Sequence, residues 1–396
     1  MPAQGYHSQP TAHFQSSQAE FVAALRARLQ AAGRELFQTV LLEELTAFLQ
    51  ALPYERSPGR RGQRNGSYTR SLGTTFGPLA ELQVPRTREG QFRTQLFDRY
   101  QRRQAEVDTA ITEMFVRGVS TAQVGQVLEA LNGLTPSAST VSRVFHQLEP
   151  AFQAWKTRPL PTWVLYMHLD AIELTIKYAG EGVKMAVLAA IGVLPDGRRE
   201  LLGLTTGEHE NGPAWTNLCR DLLERGLQQV GLVISDQHAS IWAACETIWP
   251  AARHQACATH KIVNVLGHVP KGKRAAVHAD LKAIFYQADE AQARQVAQAF
   301  CERYRATYPE AVTCLAKDLD ACLQFYGFPQ DHWRFIRTNN VAERLFSELR
   351  RRMNKMGAMP NEASALLICW AVANTIQWRG LRVDPALLAL EELHKT

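Results

Sequence analysis

Val164-Leu-Tyr-Met-His-Leu-Asp170 is an apolar run closed by an acid, and Val230-Gly-Leu-Val-Ile-Ser-Asp236 repeats the arrangement 66 residues later. Short apolar stretches rich in β-formers read as buried strands. A third acid, Glu343, lies far downstream in the arginine-rich helical segment Asn340-Val-Ala-Glu343-Arg-Leu345. Taken singly, Asp170 is a turn residue, Asp236 a helix N-cap and Glu343 a partner for a neighbouring arginine. Taken together, they are two carboxylates from strand ends and one from a late helix. That layout suits two Mg²⁺ ions facing a phosphodiester, because Mg²⁺ takes few protein ligands and needs oxygens converging from separate elements.

Working outward, residues 163–174, 184–194 and 200–206 read as three antiparallel strands, the last two joined by the turn Pro195-Asp-Gly197. Residues 212–225 read as an amphipathic helix, 230–235 as a buried strand, 239–249 as a helix and 253–259 as a fifth strand. This order predicts an α/β ribonuclease-H-like core, whose first and fourth strands are neighbours, so Asp170 and Asp236 are expected side by side. Residues 266–330 carry helical spacing (Leu281, Ile284 and Phe285, then Val296, Phe300 and Tyr304) and read as an all-α insertion, which explains why Glu343 comes so late. A helix near Asn339–Asn354 and an apolar helical tail from Ser364 to Trp378, with Trp370 and Trp378 as core residues, complete the core.

The region before the core is different in kind. Residues 19–52 are helical in period, and 53–68 form a loop rich in Pro, Gly and Arg. Ser67–Leu72 and Leu79–Val84, separated by Gly77-Pro78 and stopped by Pro85, predict a β-hairpin. From Arg56 to Arg103 there are eleven arginines, no lysine and three acids, an excess larger than the +6 of the whole chain. Arginine's planar fork suits phosphate oxygens, so Arg60, Arg61, Arg64, Arg70, Arg86 and Arg88 are candidate DNA contacts. Next, Gly118-Val-Ser120 is a stop and recap, Asn132-Gly133 a second stop, and Ser137 or Ser139 caps a helix carrying Thr140 and Arg143. Helix, Gly turn, then a helix opening with Ser, Thr and Arg is a helix-turn-helix pattern, making Ser139, Thr140 and Arg143 further DNA candidates. The expected organisation is a helical region at 1–55, the arginine-rich hairpin at 56–103 and the helix-turn-helix at 104–155. The core follows at 160–265 and 331–396, around the insertion at 266–330.

A chain of 396 residues is expected to hold more than one domain. No apolar stretch is long enough to span a membrane, and the polar start, Met1 to Gln18, reads as a disordered lead-in, so a cytoplasmic protein is expected. Seven scattered cysteines without a CxxC pair argue against a disulfide framework or a four-cysteine zinc site.

Nine short segments in order carry a resemblance: Asn65-Gly-Ser-Tyr68, Val84-Pro-Arg-Thr-Arg88, Leu96-Phe-Asp-Arg-Tyr100, Gly118-Val-Ser-Thr121, Ser139-Thr-Val-Ser-Arg143, Leu169-Asp-Ala171, Ser235-Asp236, Cys257-Ala-Thr-His-Lys261 and Asn340-Val-Ala-Glu-Arg-Leu345. Over residues 60–380 the chain resembles the Mutator-type transposases of bacterial insertion sequences. The resemblance implies a DDE transposase with Asp170, Asp236 and Glu343 as catalytic and metal-holding acids and two Mg²⁺ ions, for which Mn²⁺ can substitute. It also implies DNA partners (terminal inverted repeats and target DNA), a dimer or higher assembly on DNA, and location with the bacterial nucleoid. His260 and Lys261, at the family's Cys-x-x-His element, and Arg344, Arg350 and Arg351 are further expected DNA contacts. A lone Cys257-x-x-His260 is half a zinc site and is not read as one. Two departures flank the acids: Gln237 stands where the family has Gly, and Thr338-Asn339-Asn340 replaces Thr-Thr-Asn. The alternatives are a ribonuclease-H-like nuclease that only hydrolyses, and a transposase-derived DNA-binding regulator.

Overall fold

The computed structural model describes residues 18–178, 181–236, 238–356 and 359–384. The polar start before Gln18 and Gln237 lie outside the described residues. The chain divides into two compact units between Gln147 and Leu148. No described helix is long and apolar enough to cross a membrane.

In the first unit one long helix, α1 (Gln18–Leu49), packs on a hairpin of β1 (Arg64–Thr74) and β2 (Gly77–Thr87). Leu41 closes a small core with Leu72, Leu79, Leu82, Val84 and Phe97. Gln38 holds the Gln83 backbone at both ends of its amide, at 2.8 and 3.0 Å, which occupies an otherwise open strand edge. β2 runs on through Pro85, where the sequence predicts a stop. The register slips between Arg64 and Ser67, so the residue lacking an N–H falls at an irregularity of the ladder.

Three helices complete this unit: α2 (Ala105–Val116), α3 (Thr121–Asn132) and α4 (Ala138–Phe145). Ser120 and Gln123 form a reciprocal capping box at the start of α3, and Gly133, at φ +81°, ends it in the left-handed conformation. Ser137, not Ser139, caps α4 by accepting the Thr140 N–H. Ile111, Phe115, Val124, Leu128, Val141 and Val144 are buried in this helical group.

The second unit opens with α5 (Glu149–Thr157), whose Phe152 and Trp155 meet Trp370 in an aromatic cluster. Its sheet holds β3 (Trp163–Tyr178), β4 (Glu181–Val193), β5 (Arg199–Gly207), β6 (Gln229–Ser235) and β7 (Arg253–Ala256) in the order β5-β4-β3-β6-β7. The first three run antiparallel, while β6 is parallel to β3 and β7 to β6. Against one face pack α6 (Gly212–Glu224) and α7 (Ala239–Ile248), whose Trp215, Leu218, Ile241 and Cys245 join Met167 and Leu169 in one core. Tyr166, Leu232 and Ile234 belong to another core with Phe325 and Ile336. Burial on both sides is why β6 reads as a continuous apolar run and not as an alternation.

A helical segment follows: α8 (Ala258–Gly267), α9 (Arg274–Ile284), α10 (Glu290–Tyr304), α11 (Pro309–Lys317) and α12 (Leu319–Cys322), with its own core around Leu281, Phe285, Phe300 and Leu315. Then come α13 (Trp333–Ile336), α14 (Asn340–Met356) and α15 (Glu362–Thr375). Trp378 lies beyond the end of α15 and is half-buried.

Two expectations need correcting. The fifth strand ends at Ala256, and Cys257 is the N-cap of α8, so Cys257 to Lys261 open a helix instead of closing a strand. Asp170 does not end β3. The strand continues eight residues further as a ribbon paired with β4 as far as Tyr178↔Glu181. Ile172, Leu174 and Ile176 are buried along this extension, and its outer edge is met by Met359, which exchanges backbone hydrogen bonds with Thr175 and Lys177. What stops near Asp170 is the neighbour: β6 ends at Ser235.

Candidate active site

The sheet register decides where the two aspartates lie. Trp163 pairs with Gln229, Tyr166 with Leu232 and His168 with Ile234, so every pair on β3 and β6 keeps the 66-residue offset that separates Asp170 from Asp236. Extended by two residues, the ladder places the two acids level with each other on adjacent chains, which lie about 4.8 Å apart in a sheet. Asp236 sits just past the last β6 residue, and its Oδ1 accepts the His238 N–H at 3.2 Å. The N-cap of α7 is His238, so capping does not account for Asp236.

Electrostatics bind this corner together. The Asp170 carboxyl is pushed up to about 7, mostly by burial, with Asp236 and Glu210 adding to the rise and the Ala171 N–H and His260 opposing it. Glu210, in the loop between β5 and α6, is raised by its own burial and by Asp236. It is an acid of the site that the sequence does not single out. His260 is pushed up to about 9 by the adjacent Cys257 side chain, against burial and with the help of Asp170 and Asp236. Acids packed this closely favour a bound cation. The oxygen donors of Asp170 and Asp236 suit Mg²⁺ or Mn²⁺.

Glu343 lies beside His260, and its helix is anchored by a residue that the sequence presents only as a departure. Asn339 is fully buried immediately before α14. Its Nδ2 donates to the Leu169 carbonyl at 2.8 Å, its Oδ1 meets His168 Nδ1 at 3.1 Å, and its backbone N–H donates to Cys257 Sγ at 3.2 Å. The side chain thus fastens the start of α14 to His168 and Leu169 of β3, and the backbone N–H of the same residue fastens it to the cap of α8. Glu343 lies in the first turn of α14, its N–H bonded to the Asn339 carbonyl at 3.1 Å. Donor atoms of Cys257, His260 and Glu343 all lie within 4.8 Å of one another. The ion pairs of α14 run instead from Glu348 to Arg351 and Arg352, so among the described residues no intrahelical pair accounts for Glu343. His168, pushed down to about 3 by burial and by the charge of Arg199, is a neutral strut.

The expected DNA contacts divide by environment. Lys261 is a correction: it is 1% exposed, with Nζ bonded to the Cys314 carbonyl at 2.6 Å and to Asp318 at 3.1 Å, and it braces α8 against α11 instead of reaching solvent. Arg64 is half-buried and serves Thr46 and Ala51, while Arg70 packs over the Phe97 ring and bonds the carbonyls of Asp98 and Gln101. Arg60 ties its own loop through Glu55 and Gly62. Arg61, Arg86, Arg88, Ser139 and Arg143 are exposed, and Thr140 is half-buried beside Ser137. Arg344, Arg350 and Arg351 are exposed on α14, and His260 is half-buried. Trp215 and Trp333 both lie in apolar cores.

A family model described as "Transposase, Mutator family" matches residues 8–380. The chain belongs to the Mutator family of transposases. Among curated members, it is 35% identical over 340 residues to the transposase for insertion sequence element ISRM5 of Rhizobium meliloti, covering 86% of this chain and 85% of the relative. It is 33% identical to the transposase for IS256 in transposon Tn4001 of Staphylococcus aureus, covering 85% and 87%. Against the transposase for IS1081 of Mycobacterium tuberculosis it is 34% identical, covering 80% and 77%. A simian T-cell lymphotropic virus intasome matches 43% of this chain and 70% of its own at 11% identity and a TM-score of 0.18, too low to bear on the fold. Within this Mutator-family transposase, Asn339 bonds Leu169, His168 and Cys257 from the residue just before the helix that carries Glu343.

Proposed function

We propose that this protein is the transposase of an insertion sequence, a DDE enzyme that binds terminal inverted repeats, cuts the element free and joins it to target DNA. The observation that supports the proposal is the mutual influence of Asp170 and Asp236 just past the end of the β3–β6 ladder, with Glu343 beside His260, a residue that both aspartates also influence. The strand order and directions support reading the sheet as a ribonuclease-H-like core. Asp170, Asp236 and Glu343 would hold two Mg²⁺ ions, which supply a lowered nucleophile pKa and stabilise charge on the leaving oxygen.

In the first step a water oxygen attacks the phosphorus at the element's end, the P–O3′ bond breaks and the 3′ oxygen leaves with a proton. In the second, that 3′-OH loses its proton and attacks a target phosphorus, displacing a second 3′ oxygen, so one phosphodiester forms as one breaks. No covalent enzyme intermediate is needed. Arg344, one residue after Glu343, is exposed and suited to a phosphate, as are Arg350 and Arg351. The exposed hairpin arginines and α4 are the reading elements for the repeats. Beside them, an open groove of about 510 Å³ combines Arg86, Arg93 and Arg99 with Tyr68 and Tyr100. Two ends must be joined in concert, so a dimer or larger assembly on DNA, working at the nucleoid, belongs to the same proposal.

Asp170→Asn, Asp236→Asn and Glu343→Gln should each bind inverted-repeat DNA in a mobility-shift assay, yet give neither cleavage nor strand transfer with Mg²⁺ or Mn²⁺. Strand transfer by any of the three at the native rate would sink the assignment. Cleavage by the native protein without strand transfer would favour a nuclease.

A further inference from the structure

The sequence offers Cys257-x-x-His260 as two donors without partners, and the fold brings a third. Cys257 is the N-cap of α8 and His260 lies in its first turn, so the three-residue spacing sets both side chains on one face. Glu343 arrives from α14, and one donor atom from each residue lies within 4.8 Å of the other two. Tetrahedral zinc, with bonds of about 2.0–2.3 Å, places its ligands roughly 3.3–3.8 Å apart. Closing this set therefore takes about 1 Å of side-chain movement.

Two further observations point to a ligand. The Asn339 N–H already donates to Cys257 Sγ, the kind of outer hydrogen bond that settles a metal-bound thiolate. Among the described residues, His260 Nδ1 is buried and has no hydrogen-bond partner, while the ring itself lies against Cys257. We propose that Cys257, His260 and Glu343 form a cation site of the zinc class, distinct from the aspartate pair and sharing the third acid with it. Thiolate and imidazole select zinc-like ions, whereas Mg²⁺ takes oxygen donors, so the two sites differ in the metal they accept. Three protein donors leave the fourth position open to water or a phosphate oxygen. Only the sharing of Glu343 rests on the proposed function; the site itself does not.

Co²⁺ titrated into the metal-free full-length protein reads the site directly. One equivalent should give visible d–d bands of tetrahedral intensity and a near-ultraviolet thiolate-to-cobalt band, both erased by Zn²⁺ and left in place by excess Mg²⁺. Cys257→Ser should abolish the thiolate band, and Glu343→Gln should weaken Co²⁺ binding at least about tenfold. Asp170→Asn should leave the spectrum unchanged. Absence of the bands from the native protein, or their survival in Cys257→Ser, overturns the proposal. If Cys257→Ser does not fold, the Glu343→Gln affinity decides, and native affinity there overturns it equally. Failure of the strand-transfer assay would overturn the functional reading while leaving these spectra as they are.

Discussion

Replacing Asp170 by Asn removes a charge without changing shape, and the structure gives both sign and size for the result. The carboxyl is raised from 3.8 to about 7. A raised folded pKa means that the fold prefers the protonated acid. That contribution is complete below about pH 4, fades as pH climbs and is gone above about 7. At about 1.4 kcal/mol per pH unit the full difference is roughly 4 kcal/mol. Solvent relaxation around an acid that is not wholly enclosed reduces it, and about 2 kcal/mol is expected. All eight tryptophans lie between Trp155 and Trp378, so tryptophan fluorescence during urea unfolding reports on the second unit alone. In EDTA at pH 8, Asp170→Asn should be about 2 kcal/mol more stable than the native protein, and near pH 4 the two should converge. Raising Mg²⁺ to ten times its dissociation constant should add about 1.4 kcal/mol to the native protein and far less to the variant. Equal stabilities at both pH values, or a less stable variant at pH 8, would refute the reasoning.

Asn339→Ala strips the Leu169 carbonyl and His168 Nδ1 of their partners at a fully buried position, so the fluorescence-detected unfolding should lose about 2–4 kcal/mol. Lys261→Ala, which abandons a buried ion pair with Asp318, should cost about 3–5 kcal/mol, with Lys261→Met milder and DNA affinity per folded molecule unchanged in a filter-binding assay. Arg86→Ala and Arg88→Ala should each lower the log–log salt slope of DNA binding by about one, whereas Arg64→Ala, whose guanidinium serves Thr46 and Ala51, should act on stability instead. Ser120→Ala should speed amide exchange at the start of α3, consistent with a capping loss of about 1 kcal/mol.

The strand alternations and the 66-residue spacing were legible because burial writes itself into local pattern, and pairing on a parallel ladder preserves sequence offset. The cap at Ser120 was legible for a similar reason, since cap and capped N–H are three residues apart, and the cap of α4 was narrowed to Ser137 or Ser139, of which the structure uses Ser137. What stayed hidden depends on distant partners. Lys261 looks like any lysine beside a histidine until Asp318, 57 residues away, turns it inward. Arg64 and Arg70 count as charge in a composition, yet their forks are spent inside the unit. Glu210 is one of two glutamates in Glu208-His-Glu210, with nothing local to mark it. The length of β3 was misjudged because Glu173, Thr175 and Lys177 dilute the apolar run, although alternate residues remain buried as the ribbon extends.

Two neighbouring strands can hold two acids at a spacing set by the ladder, but a third must come from an element outside it, whose position some contact has to fix. Asn339 provides that contact, and its chemistry explains why an amide stands there. It donates to a carbonyl of β3 and meets a neutral histidine with the other end of the same group, which a threonine hydroxyl is too short to span. Its backbone N–H goes to Cys257, so the distance from Glu343 to the aspartates and the distance from Glu343 to the cysteine and histidine are governed from one point. A change at Asn339 therefore cannot shift one set of donors alone. Asn339→Ala should weaken Co²⁺ binding at Cys257 and His260 and slow strand transfer together, and a loss of one without the other would mean that Glu343 is positioned by something else.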